Sequence, residues 1–303
     1  MSMKLTVLGS SSAIPTKERN LSAQLLEIAG HSLLLDCGEG TQLQLNKFKK
    51  KQSQIRYILI SHLHGDHYFG LVGLVSTMHM LGREKDLHIY SPNGLEEIIR
   101  LQFAASNTRL SFKLVFHIIN TKKSILLFEE NAYQLFTFPL KHSVETYGFK
   151  IQEKTGQRNI RKEFIQNRDI HHKWFPRIKD GEDYIDSKGR IYPNNTITTS
   201  PQNPSSFAYM TDTAYLPERA NDIVGVSLLY HEATFLSSDL EKAIARNHST
   251  AKQAAKIARE AQVQRLLIGH FSTRYEDLSL FLDEVKAVFK NTILAEDGME
   301  ISI

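Results

Sequence analysis

Apolar positions along this chain fall into two patterns. Short runs bounded by turn-forming residues predict strands at 4–8, 24–28, 32–36 and 55–61, and the middle pair flanks Ala29-Gly30-His31, which reads as a hairpin turn. Stretches in which apolar residues return every three or four positions predict helices at 41–48, 70–81 and 94–105. Strands are expected again at 112–119, 133–138 and 147–152. From 154 to 204 the pattern fades into polar, charged, turn-rich sequence, which reads as an arm inserted in a single domain spanning 1–303. Beyond it, strands are expected at 207–211, 227–231, 265–269 and 292–295, and helices at 239–246, 250–261 and 278–289. This mixture, with hairpins in each half, fits an α/β fold in which helices cover the outer faces of two sheets: a four-layer α/β/β/α sandwich with a protruding arm.

The strongest chemical signal is His62-Leu63-His64-Gly65-Asp66-His67, placed directly after the apolar strand 55–61. Three imidazoles and a carboxylate crowded at a strand end need something to order and neutralise them, and a metal does both. Such donors suit Zn²⁺, Fe²⁺ or Mn²⁺. Alternating side chains let one loop feed two metals. His142, Asp212 and His270 each follow a predicted strand, the position already occupied by the first cluster. Cys37 is the only cysteine, so neither a disulfide nor a cysteine-based zinc cluster is available within the chain and any metal site must come from His, Asp and Glu. No apolar run reaches the roughly 18 residues of a membrane helix, and the first residues lack the pattern of a secretory signal. A cytoplasmic protein is expected. The net charge of +4 is compatible with a polyanionic partner without requiring one.

HLHGDH is similar to the HxHxDH signature of the metallo-β-lactamase superfamily, whose fold is the α/β/β/α sandwich. Four further segments narrow the resemblance: PTKERN (15–20), LLLDCGEGTQ (33–42), HEATF (231–235) and GHFSTRY (269–275) resemble ribonuclease Z. The resemblance implies a zinc-dependent endoribonuclease that removes the 3′ trailer of precursor tRNA, with two Zn²⁺ per chain and a homodimeric assembly. It assigns His62, His64 and His142 to one metal and Asp66, His67 and His270 to the other, with Asp212 bridging. Asp36 becomes a carboxylate that orders the histidine loop, and the Gly38-Glu39-Gly40 turn lets the backbone approach the site. Cys37 reads as a small core residue.

In the chemistry so implied, the metals polarise a phosphoryl oxygen and Asp66 accepts the proton of the attacking water. His248 protonates the leaving 3′-oxygen, with Glu232 holding its orientation and charge. Lys17 and Arg19 would contact the substrate's 3′ end. Ser272 and Arg274 would either hold the scissile region or order the metal loop. The basic run 47–51 suits helix-end stabilisation and RNA contact equally.

Between Lys154 and Lys179 eight Lys or Arg face two acidic residues, a local charge of +6, interleaved with Phe164, Trp174 and Phe175. That composition suits an arm that docks tRNA. The family's short forms carry a Gly-Pro pair in this arm; the comparable stretch here, 169–176, has none. The alternative function is another hydrolase or phosphodiesterase of this fold acting on a different substrate. A metal-free RNA-binding protein of the same fold would require lost ligands, and all seven are present.

Overall fold

The computed structural model describes residues 3–166, 168–201 and 203–303. Met1 and Ser2, at the start of the domain read from sequence, and Asn167 and Gln202, in its arm, lie outside the described residues.

The first sheet is assembled from β1 (Lys4–Gly9), β2 (Ala23–Ile28), β3 (His31–Leu35), β4 (Ile55–Leu59), β5 (Leu87–Ser91) and β6 (Leu114–Ile118). Between them lie α1 (Thr41–Lys47), the single turn α2 (Gly65–Tyr68), α3 (Leu71–Met80) and α4 (Leu95–Ala105). Strands β7 (Ile125–Glu129), β8 (Tyr133–Lys141) and β9 (Glu145–Glu153) open the second sheet. The segment that follows holds the two-residue strands β10 (Asn159–Ile160), β11 (Tyr184–Ile185), β12 (Ile191–Tyr192) and β13 (Thr198–Thr199), with α5 (Lys162–Gln166), α6 (Trp174–Lys179) and α7 (Asn194–Ile197). The chain returns through β14 (Ser206–Met210), β15 (Leu228–Glu232), α8 (Leu240–Ala245), α9 (Ala251–Glu260), β16 (Leu266–Gly269), α10 (Ser279–Lys286), β17 (Thr292–Leu294) and β18 (Glu300–Ser302).

Two seven-stranded sheets result, in the orders β18-β1-β2-β3-β4-β5-β6 and β17-β16-β15-β14-β9-β8-β7. Strands β3 to β6 run parallel, as do β14 to β17. Parallel strands in a covered sheet are buried on both faces, and the sequence obeys that demand. In the first sheet Leu25, Leu34, Ile58 and Ile89 pack with Leu45, Leu71, Leu74 and Ile99 of the covering helices. The alternate residues Leu26, Leu33, Leu35 and Leu59 are also fully buried and point to the other face. In the second sheet Ala208, Met210, Leu229 and Ile268 pack with the alanines of α9 and with Phe281 and Val285 of α10. The small side chains of α9 let it lie close on the sheet. Its start is fixed by a capping box, in which the Thr250 side chain accepts from the Gln253 N–H and the Gln253 side chain accepts from Thr250. Two helix-covered sheets give the α/β/β/α sandwich of the metallo-β-lactamase fold.

The chain divides into two compact units, one of residues 1–129, 135–151 and 205–303, the other of 130–134 and 152–204. The stretch 154–204, read from sequence as a polar arm with little to bury, falls in the second. It encloses a small core of its own: Phe164, Ile170, Ile178, Tyr184 and Ile197, with Trp174 and Tyr192 packed against it. Arg168 lies over Phe164 at 4.5 Å and over Tyr192 at 4.9 Å, and Arg177 lies over Trp174 at 4.4 Å. The aromatics interleaved with basic residues therefore hold this unit together. Sequence spacing hid this because the contributing residues are scattered across short elements with no sustained period.

Candidate metal centre

The His/Asp cluster gathers at the carboxyl ends of strands, the usual location of sites in parallel sheets. Asp36 directly follows β3. His62 and His64 follow β4, and Asp66 and His67 stand on α2. His142 directly follows β8, Asp212 lies two residues beyond β14, Glu232 closes β15, and His270 directly follows β16. Asp36, Asp212 and His270 have left-handed backbones, with φ of 58°, 44° and 59°. That conformation costs a non-glycine residue on the order of 1 kcal/mol or more, and is kept where the surrounding structure fixes it.

Asp212 divides the cluster in two. Its Oδ2 lies 3.6 Å from Nε2 of both His62 and His142. Its Oδ1 lies 3.2 Å from His67 Nε2 and 3.1 Å from His270 Nε2. His64 Nδ1 completes the first group, 3.0 Å from His62 Nε2 and 3.2 Å from His142 Nε2. Asp66 Oδ2 completes the second, 3.4 Å from His67 Nε2 and 3.7 Å from His270 Nε2. Within each set, His62, His64, His142 and Asp212 in one and Asp66, His67 and His270 in the other, the donor atoms lie within 4.8 Å of one another. The Nε2 atoms of His67 and His270 are buried without a hydrogen-bond partner, which is costly unless something else occupies them. Burial holds His62 and His142 below the usual histidine range, the direction that favours ligation, whereas at His67 burial is outweighed by the Asp212, Asp66 and Asp36 charges, which raise it. Burial would raise Asp212, but His270, His67 and His62 hold it well below the usual carboxylate range. The donors therefore fit a metal ion.

The outer ring nitrogens are held one by one. His67 Nδ1 donates to Asp36 Oδ2 at 2.8 Å, His270 Nδ1 lies 3.0 Å from Thr234 Oγ1, His62 Nδ1 lies 3.0 Å from Ser61 Oγ, and His142 Nδ1 donates to the Asn247 carbonyl at 3.2 Å. Asp36 is fully buried and also accepts from the Ser61 N–H (2.7 Å), Ser61 Oγ (2.9 Å) and Tyr209 OH (2.8 Å). Such partners fix the tautomer and orientation of ligating imidazoles. The turn after Asp36 packs against α2: a Cβ on Gly38 would lie 2.5 Å from the Asp66 carbonyl oxygen, so only glycine allows that approach. Burial pushes the Cys37 thiol up to about 12, which makes it an inert core residue.

His248 lies between α8 and α9. Its Nδ1 donates to Glu232 Oε1 at 2.8 Å. Glu232 is fully buried and also accepts from the Thr213 N–H at 2.7 Å and Thr234 Oγ1 at 2.6 Å. Burial pulls the His248 imidazole down, but the Glu232 charge and hydrogen bond outweigh it and lift the group to about 9. Although Asp212, His248 and His270 also form a close set, Nδ1 of His248 is committed to Glu232, and its other nitrogen is the one left for the site. Beside the cluster a cleft of about 330 Å³ is lined by Ser12, Ala13, Ser143, Arg246, Asn247 and His248 above His64, Asp66, His142 and Asp212. The Ala13 N–H donates to Asp66 Oδ2 at 2.9 Å.

The residues read as substrate contacts stand outside that lining. Lys17 is exposed in a turn closed by Thr16 N–H to Arg19 carbonyl at 2.8 Å. Arg19 reaches the Tyr275 carbonyl at 3.5 Å, and its Nε is buried without a partner. Arg274 donates to Ser272 Oγ at 3.2 Å, lies 5.1 Å over the Phe235 ring and is 3.9 Å from Asp239. Thr234, Asn247 and Arg246 were not singled out from sequence. Thr234 sits inside the quoted HEATF, the one signal available for it; Asn247 acts through its carbonyl, which leaves no mark in residue type.

The full length of the chain has named relatives. It is 41% identical over 300 residues to the ribonuclease Z of Bacteroides fragilis, covering 99% of each. It is 42% identical over 297 residues to that of Phocaeicola vulgatus, covering 98% of this chain and 96% of the relative. The chain belongs to the ribonuclease Z family, the metal-dependent endoribonucleases of tRNA 3′ processing. Among solved structures, human tRNase Z, short form, matches over 99% of each chain with a TM-score of 0.73 and 29% identity. Residues 3–161 also match the family of anti-Pycsar protein Apyc1, to which the chain belongs by that half. This match carries the HLHGDH loop and His142 but ends before Asp212, Glu232, His248 and His270, which the ribonuclease Z relatives span. Among the described residues no helix is long and apolar enough to cross a membrane.

Proposed function

We propose that this chain cuts precursor tRNA at its 3′ trailer with two zinc ions and leaves a 3′-hydroxyl on the tRNA. The observation that carries the reading is the division of Asp212, whose two oxygens face two separate donor sets. His62, His64 and His142 would hold one ion, Asp66, His67 and His270 the other, and Asp212 both. Imidazole and carboxylate donors without cysteine suit Zn²⁺. Bound metal would supply Lewis acidity, lowering the pKa of water and drawing charge from a phosphoryl oxygen.

The chain's own groups move the protons. Asp66 accepts one from the water that attacks phosphorus. His248, cationic through Glu232, gives one to the 3′-oxygen as its bond to phosphorus breaks. Asp36, Ser61, Thr234 and the Asn247 carbonyl keep the imidazoles oriented throughout. Lys17 and Arg19 would meet the 3′-terminal region of the tRNA. Arg274, already engaged with Phe235 and Asp239, suits the ordering of the 269–275 loop better than direct contact, with Ser272 beside it.

The arm 154–204 would dock the tRNA body through exposed Lys162, Lys173 and Lys179 on its own small core. A homodimer is supported by Leu43, Phe69, Met80 and Leu81, large apolar residues exposed on or beside α1 and α3. A precursor tRNA substrate fits the cytoplasmic location expected from the sequence. The match of residues 3–161 to a differently named family keeps one rival concrete, a hydrolase of this fold acting on another substrate. Zinc titration of chelator-stripped protein tests the metal reading: cleavage of a trailer-bearing precursor should saturate at two equivalents per chain, and saturation at one would remove Asp212 as a bridge.

A further inference from the structure

Arg246 is a cation in the cleft beside the cluster that the site described so far does not use. It caps α8, and its backbone is fixed on every side. Its N–H donates to the Lys242 carbonyl at 3.1 Å, the next residue, Asn247, turns with φ of 53° and accepts from His142, and the His248 N–H donates to the Ala243 carbonyl at 2.9 Å. The turn is thus clamped between a histidine of the metal cluster and the histidine paired with Glu232.

Arg246 is exposed, and among the described residues its guanidinium makes no hydrogen bond, ion pair or ring contact of its own. Two arginines of the same unit differ. Arg83 donates to three carbonyls, and Arg274 stacks on Phe235. The carboxylate of Asp239, just before α8, is already shared by Lys242 and Arg274. A fixed backbone carrying a free guanidinium at the mouth of a phosphodiester site is the arrangement that captures phosphate bidentately.

We propose that Arg246 holds the phosphate one nucleotide from the scissile one, on the side of the leaving 3′-oxygen. That side follows from the turn, which presents His248, the group at the leaving oxygen, two residues later. The proposal rests on the nuclease reading above and adds a contact that sets the register of the RNA in the cleft.

The test is a double cycle on the full-length, metal-loaded protein. Wild type and Arg246→Gln are each given a precursor with all phosphates intact and one in which the phosphate 5′ of the terminal tRNA nucleotide is a neutral methylphosphonate. Each single change should lower kcat/KM about tenfold or more, the usual worth of a charge-assisted contact, and the two together no further. The salt dependence of precursor binding should lose a slope of about 0.7, one single-strand phosphate. The ratio of precursor cleavage to bis(p-nitrophenyl) phosphate hydrolysis should fall with it. Additive losses in the cycle, or an equal loss on the small diester, would overturn the contact and leave Arg246 as a helix cap. If the wild type hydrolyses the small diester but leaves the intact precursor uncut, the nuclease reading fails and this contact with it.

Discussion

Replacing Glu232 with glutamine keeps the shape of the site and removes the charge that holds the His248 proton. His248 sits at about 9 because Glu232 overcomes its burial; the ordinary value is 6.5. Glu232→Gln should bring it back to the ordinary range or below, a separation of about two pH units or more, on the order of 3 kcal/mol of interaction. The sign is fixed by the role. A general acid works while protonated, so the rate falls as pH rises through its pKa, and the limb of the variant must lie on the acid side of the wild-type limb. At pH 8 the protonated fractions alone give roughly a thirtyfold loss in the variant, which lowering the pH to 6 should largely restore. Nearby metal cations pull both limbs downward together, so the separation between them is the measured quantity. Single-turnover cleavage of precursor tRNA between pH 5.5 and 9.5 measures it. Bis(p-nitrophenyl) phosphate, whose leaving group needs no proton, serves as the control and should show no such limb. Coincident limbs for the two proteins, or equal losses on both substrates, would refute the Glu232–His248 assignment.

Other parts of the account are open to the same treatment. His248→Ala should lower precursor cleavage by roughly 10²–10⁴-fold with unchanged metal content by elemental analysis; loss of metal would make it a ligand. Asp212→Asn should reduce bound metal from two per chain toward one, and a variant that retains two contradicts the bridge. Asp36→Ala strands His67 Nδ1, Ser61 and Tyr209 in a buried site, so urea unfolding should show losses of roughly 1–3 kcal/mol per stranded group and metal affinity should fall about 10–100-fold. Neutralising Lys162, Lys173 and Lys179 together should weaken precursor binding and reduce its salt slope by roughly 0.7–0.9 per lost contact, and an unchanged slope removes the arm as the docking element.

What the sequence disclosed follows physical range. The apolar run of the strand at 55–59 and the three-to-four spacing of the helix at 95–105 make those elements legible. β5, with the sequence LHIYS, is short and sits between a charged turn and a helix start, so no period announced it. β7 and the single turn α2 escaped for the same reason, and the core of 154–204 is built from isolated residues. The site divides similarly. HLHGDH is local and stood out, while Asp212 and His270 drew attention through their place after strands. Their left-handed backbones, the Asn247 carbonyl and the free guanidinium of Arg246 are properties of conformation and neighbourhood. A residue's identity does not encode them.

The most direct measurement is to incubate the metal-loaded protein with a trailer-bearing precursor tRNA and map both new ends. One endonucleolytic cut at the trailer boundary, with a 3′-hydroxyl on the tRNA and a 5′-phosphate on the released trailer, abolished by chelation, is the predicted result. An intact precursor under conditions where the same preparation hydrolyses a small phosphodiester, or a ladder of products shortened from the 3′ end, would contradict it.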